Sequence, residues 1–219
     1  MERKHEITEK QLDFLENFID KKYSSTNEES RIELIDHLIS DFEATTENGN
    51  LSQYLSNEIE FIRRFMRTRV KLLKANYDRD VWQEYFTFFT SIKRIPVTLF
   101  CFFCIYFLSQ NLNDKFSYLG FFFSVMVVYL YTLIAQPSNL PKKIKKLTEI
   151  QLLGKGITMG IPYIMCMIVL FSEIRTVLLE SRIFFTFYWF FAFSLSVAVI
   201  IIMNQKKNII IRKYKHLLN

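Results

Sequence analysis

The chain has 219 residues, half of them hydrophobic, with five glycines, four prolines and a formal charge of +6. The apolar residues gather after position 90 into long runs broken by short lysine-rich stretches, which fits a multi-pass membrane protein and not a soluble core. The basic residues sit beside those runs, as in KKIKK and QKKNIIIRKYKH, and do not form the basic face on a folded module that a nucleic-acid reader needs.

MERKHEITEKQLDF lacks an apolar core of signal-peptide length, so the first spanning helix is the expected insertion signal. A first helix is predicted to open at ITEKQLDFL. Thr8 can cap it, Gln11 three residues on completes a capping box, and Ile7 can pack on Leu12 as a staple. Leu12, Leu15, Phe18 and Ile19 make its apolar face. DKKYSSTNEES closes the helix and offers new caps at Ser25 or Thr26. Ile32, Ile35, Leu38, Ile39 and Phe42 then set a second helix at spacings of three and four.

The Asn-Gly of TTENGN marks a turn. From Leu51 a third helical pattern places Leu55, Ile59, Ile62, Phe65 and Met66 on one face, with RRFMRTRVKLLK supplying basic side chains opposite. Three short amphipathic helices that cover one another's stripes form a small cytoplasmic bundle over residues 1–80. It lies near the lower size limit of independent stability, where dimerisation or a membrane surface would support it. VWQEYFTFFTSIKR, residues 81–94, is aromatic and amphipathic, as in a juxtamembrane helix lying at the interface; a core helix of the soluble domain is the alternative.

Four uncharged runs follow, at about 95–109, 116–135, 156–172 and 183–203, against roughly 20 residues needed to cross a bilayer. The first and third are short and would recruit flanking residues or thin the bilayer. Lys93 and Arg94, the loop with Lys142, Lys143, Lys145, Lys146 and Lys155, and the tail 205–219 all fall on one side if there are four spans. The expected fold is therefore all-α, a small N-terminal helical domain followed by a four-helix transmembrane bundle over 95–204. The expected location is a bacterial cytoplasmic membrane with both termini cytoplasmic.

Cys101, Cys104 and Cys166 lie inside apolar runs and behave as small hydrophobes. CFFC is surrounded by Phe, unlike the accessible helix start of a redox dithiol. Glu33, His37 and Asp41 stand at successive i, i+4 positions and form one stripe that can offer carboxylate and imidazole ligands. A metal site needs ligands from a second element, and neither His5 nor His216 has a reason to approach. A polar row of packing or interaction residues, with Asp36 beside it, is the favoured alternative. No catalytic residue, metal or cofactor is expected.

Gly156 and Gly160 in LGKGITMG match no phosphate loop but form G-x-x-x-G, a spacing for close helix packing in the bundle or across a dimer, with Pro162 positioned to kink the helix. The four runs contain no Asp, Glu, Lys, Arg or His, which argues against an ion-coupled carrier; Thr98, Ser124, Thr158 and Ser194 leave a pore open. Lys142, Lys143, Lys145 and Lys146 can attract anionic lipid or a partner, although positive-inside topology alone explains them.

RIELIDHLISDFE followed by NGNLSQYLSNEIEF resembles the N-terminal module of small, poorly characterised multi-pass membrane proteins of Bacteroidota. These carry E-[LIV]-[VI]-D-H-[LI]-x4-E, a turn, and a helix opening Leu-Ser. The matching positions are Glu33, Leu34, Ile35, Asp36, His37, Leu38 and Glu43, then Leu51 and Ser52, within about the first sixty residues. A looser likeness is to helical modules that precede membrane spans in bacterial proteins associated with transcriptional regulators. The resemblance implies a cytoplasmic helical module with a membrane anchor and attaches no catalytic role to Asp36 or His37.

The favoured function is protein interaction in assembly, sensing or regulation. The expected partners are the lipid bilayer, an unidentified protein and, as an option, a second copy of the chain, with no nucleic acid. A small permease or channel component is the first alternative and a metal-dependent membrane enzyme using Glu33, His37 and Asp41 the second.

Overall fold

Helix is the only regular structure among the described residues. The computed structural model describes residues 5–23, 28–135, 145, 147–153 and 157–214. They form α1 (Glu9–Lys22), α2 (Glu28–Thr45), α3 (Leu51–Asn57), α4 (Ile59–Thr90), α5 (Ile95–Asn111), α6 (Asp114–Ala135), α7 (Thr148–Leu152), α8 (Ile157–Leu170), α9 (Ser172–Glu180) and α10 (Arg182–Lys213). Two compact units emerge. The described residues of Met1–Leu73 and Lys142–Gln151 form one, those of Lys74–Pro141 and Leu152–Asn219 the other, so the division falls within α4.

In the first unit α1 starts with the capping box expected of its sequence. The Gln11 N–H donates to Thr8 Oγ1 at 3.4 Å and the Thr8 N–H to Gln11 Oε1 at 2.9 Å, which satisfies two otherwise orphaned donors. Leu15, Ile19, Leu34, Leu38, Phe42 and Ile62 are fully buried and form the heart of the core. The buried face of α2 differs from the expected one at its start. Ile32 is 55 % exposed while Leu34 is buried; two residues span about 200° of an α-helix, so only one of the pair can face inward. The expected caps Ser25 and Thr26 lie outside the described residues.

The Asn-Gly turn is present, and Gly49 takes φ +62°. The same residue leaves room for the His5 ring: a Cβ built on Gly49 would stand 2.7 Å from His5 Cε1. Asn50 then caps α3 by accepting the Gln53 N–H at 3.1 Å.

The single third helix expected from Leu51 is divided at Glu58. Ser56 and Asn57, weak helix formers, precede the break, yet the ladder is carried across it. The Glu58 N–H reaches Tyr54 O, and Glu58 O accepts from Ile62, both at 2.9 Å. Neither Gly nor Pro occurs between Ile59 and Thr90, so α4 continues for 32 residues and residues 81–90 are its last turns.

In the second unit α10 packs against α5, α6, α8 and α9. Contacts fix the directions. Ser117 meets Arg182, and Gly120 and Ser124 meet Trp189, so α6 and α10 run the same way. Ser109 meets Thr186 while Phe102 meets Phe190, so α5 runs against α10. Phe121, Val125, Cys166, Val169 and Phe185 are buried among these helices.

Among the described residues α10 is the one helix long and apolar enough to cross a membrane alone. Two bent pairs pass the same test together, α4 with α5 at 90° and Gly160–Leu170 with α9 at 98°, giving one span or up to three. The segment EIRTVLLESR, which separates the third and fourth uncharged runs, is largely the helix α9. Ile174, Val177 and Leu178 share a helical spacing there, and Leu178 is buried. The expected tail is likewise helical as far as Lys213, because no breaker follows Met203 and Ile210 is buried.

Gly49→Ala combines a left-handed backbone with a collision against His5, and should lower stability by at least about 1–2 kcal/mol. Gly160→Ala meets nothing within 4 Å and should change it by less than about 0.5 kcal/mol. Denaturant unfolding of the detergent-solubilised chain, followed by circular dichroism, checks both; equal effects would contradict the assignment.

Candidate functional site

The polar stripe of α2 is a set of three separate grips on α3 and α4. Glu33 pairs with Arg69. His37 stacks its ring on Phe61 with centroids 4.9 Å apart. Asp41 accepts a 2.8 Å hydrogen bond from the Tyr54 hydroxyl. The partners descend from 69 through 61 to 54 as the stripe ascends, which is the register of antiparallel helices. The three side chains thus point to different neighbours instead of converging, and among the described residues no group of three or more His, Cys, Asp or Glu side chains could hold a metal. Asp36 lies off this stripe and is exposed, as are Ile32 and Ser40.

Most residues at the motif positions of RIELIDHLISDFE and NGNLSQYLSNEIEF have a packing explanation in this unit. Leu34, Ile35, Leu38 and Leu51 are core residues. The Glu43 carboxylate accepts the Ile7 N–H at 3.2 Å, tying the start of the chain to α2. Arg31 binds Asp20 at 3.0 Å and reaches Glu16 at 4.0 Å, joining α2 to α1. Burial, followed by the hydrogen bond to Asp41 and the charge of that carboxylate, holds the Tyr54 phenol well above its ordinary 10.0.

Three of the four hydroxyls that left a pore open are occupied. Thr98 Oγ1 donates to Phe88 O and Arg94 O, each at 3.0 Å. Ser124 donates to Phe121 O and accepts the Trp189 indole N–H, both at 2.9 Å. Ser194 donates to Phe190 O at 2.7 Å. The Thr158 side chain lies outside the described residues, as do Gly156, Lys142, Lys143 and Lys146; Lys145 is half-buried. Gly160 has open space where its Cβ would be. The close approach is at Gly120, whose Cβ would stand 2.8 Å from Trp189 Cη2.

Two polar centres of the second unit were not anticipated. At one end of α10, Arg182 donates to Ser109 O at 2.9 Å, Leu112 O at 3.1 Å and Ser117 Oγ at 3.2 Å, and pairs with Asp114. Just inside, the Ser109 and Thr186 hydroxyls are 2.5 Å apart. At the corner between α4 and α5, Arg94 donates to Glu84 Oε1 at 2.5 Å and Thr87 Oγ1 at 2.6 Å, with its guanidinium over the Phe88 ring. Lys206 pairs with Asp80 at 2.5 Å.

No protein-family model matches the chain, and neither a curated protein nor a solved structure matches it significantly.

Tyr54 makes a pH test available. Below pH 10 its phenol is neutral both folded and unfolded. Above it the unfolded chain releases a proton that the folded chain retains, so stability falls as pH rises, by up to about 1.4 kcal/mol per pH unit. Tyr54→Phe should cost about 1 kcal/mol at neutral pH through the lost hydrogen bond and should flatten the loss above pH 10. Urea unfolding of both chains between pH 8 and pH 11 checks this; a difference between them that stays constant with pH would contradict it.

Proposed function

We propose that the chain is a four-span protein of a bacterial cytoplasmic membrane whose N-terminal helical unit is a cytoplasmic docking module, acting in assembly, sensing or regulation. The spans are α5, α6, α8 and α10. The uncharged stretch 183–205 of α10 extends about 34 Å at ~1.5 Å per residue, enough for a hydrocarbon core of roughly 30 Å. α6, of 22 residues, is uncharged from Phe116 onward. The 17-residue α5 and the 14-residue α8 are shorter, and each adjoins a helix bent nearly at right angles to it. That geometry suits interfacial helices: α4 brings Trp82, Tyr85 and Phe86 to one surface, and α9 brings Ile174 and Val177 to the other. The C-terminal end of α5 and the N-terminal ends of α6 and α10 meet around Arg182, which fits alternating threading. Positive-inside topology then assigns Lys93, Arg94, Lys206 and the lysine-rich stretch 142–146 to the cytoplasm.

The interaction role rests on one observation. The first unit spends its polar stripe on its own packing, while Ile32, Asp36 and Ser40, four residues apart, form a ribbon on the outer face of α2 that is left exposed. One apolar and two polar side chains in a row at helical spacing offer a surface that another helix can cover.

Affinity capture after crosslinking in native membranes tests the role, with wild type compared against Ile32→Ser/Asp36→Ala. Both changes lie outside the core, so folding and insertion should be preserved. A protein captured by the wild type and lost by the variant is the expected result. Identical capture by both, or none by either, would count against the docking module.

A further inference from the structure

The corner where α4 turns into α5 encloses two apolar grooves against α10. The larger, about 700 Å³, is walled by aromatic rings including Tyr85, Phe89, Phe102 and Phe187. The smaller, about 340 Å³, runs along Val97, Cys101, Val197 and Ile201 and has Lys93 and Arg94 in its wall. Phe88, Thr98 and Phe190 line both, so the grooves adjoin along a common partition. Volumes of this order are typical of small-molecule sites.

Charge decides what such a site would take. Arg94 is neutralised by Glu84, which is itself buried. Lys93 stands exposed in the turn before α5, with no acidic partner among the described residues. The corner therefore carries one uncompensated positive charge beside two channels that offer almost no polar surface. The turn holding it is rigid: the Ile95 N–H donates to Ser91 O at 3.0 Å, the Arg94 N–H to the same oxygen at 2.8 Å, and Thr98 ties Arg94 O to Phe88 O. A ligand with one negative charge and two apolar chains complements this arrangement.

We propose that the α4–α5 corner binds one anionic phospholipid. Its phosphate rests on the Lys93 ammonium, one acyl chain lies along Val97, Cys101, Val197 and Ile201, and the other fills the aromatic groove. The proposal rests on the membrane reading above, which puts Lys93 at headgroup level. Lys93 sets the preference for an anionic headgroup, and the grooves hold the chains of any lipid.

Tryptophan quenching in vesicles tests it, because Trp82 packs on Tyr85 and Phe191 of the aromatic groove. The full chain is reconstituted in phosphatidylcholine containing a small fraction of lipid brominated on its acyl chains, either phosphatidylglycerol or phosphatidylcholine. The brominated phosphatidylglycerol should occupy the corner about fivefold more strongly than its zwitterionic counterpart, the preference expected for one basic side chain at an anionic group. Lys93→Glu should abolish the preference and Lys93→Arg should retain it. Lys115→Glu, at the opposite end of the α5–α10 pair, should leave it unchanged. Equal quenching by the two lipids in the wild type, or a preference that survives Lys93→Glu or vanishes in Lys115→Glu, overturns the site while leaving the membrane reading intact. Failure of vesicles made wholly of brominated phosphatidylcholine to quench either tryptophan would overturn the membrane reading and the site with it.

Discussion

An α-helix ends with carbonyls that have no intrahelical partner, and in apolar surroundings some other donor must reach them. In the second unit that donor is Arg182. One guanidinium satisfies Ser109 O and Leu112 O at the end of α5, holds Ser117 at the start of α6 and pairs with Asp114. Because Arg182 is also the first residue of α10, it ties three helix ends together and sets the directions in which the helices leave. The contacts farther along follow from that start. Thr186 meets Ser109 one turn in, and Trp189 meets Ser124 and the gap at Gly120 one turn later. In the proposed bilayer setting hydrogen bonds between helices matter, because apolar side chains alone hardly distinguish a neighbouring helix from lipid.

The first unit solves a different problem. It has to close a core from short helices, and it does so with apolar side chains backed by polar grips at the rim. Glu33, His37 and Asp41 look like a ligand set when read along one helix, yet each is taken by a different residue of α3 or α4. Their individual contributions are small, since exposed ion pairs and ring contacts are worth about 1 kcal/mol or less. Their value lies in register: three unlike contacts in order admit one alignment of α2 on its neighbours.

Local chemistry was legible in the sequence and long-range partners were not. Thr8 with Gln11, and Asn48 with Gly49, act within a few residues, so capping and turn rules locate them. Helix and apolar periodicity are legible for the same reason. Ile32 and Leu34 are both apolar and two apart, and only the packed core decides which faces in. The break at Glu58 follows two weak helix formers, Ser56 and Asn57, and α9 carries Ile174, Val177 and Leu178 at helical spacing, local cues too short to decide either element without its packing. Nothing local distinguishes Arg182 from an ordinary charge at the start of an apolar run, because its partners lie some seventy residues away. The G-x-x-x-G spacing points to Gly160, whereas among the described glycines of the second unit the one a neighbour requires is Gly120, in a stretch of phenylalanines with no second glycine at helical spacing.

Threading decides both proposals, since the proposed docking module and the proposed lipid corner need to lie on the cytoplasmic side. Single cysteines at Ser52 and at Lys115, introduced in a chain whose Cys101, Cys104 and Cys166 are alanine, report this directly when bacterial spheroplasts are treated with a membrane-impermeant maleimide. Lys115→Cys should be labelled in intact spheroplasts and Ser52→Cys only after permeabilisation. Labelling of both before permeabilisation, protection of both, or the reverse pattern would contradict the threading on which the proposed function stands.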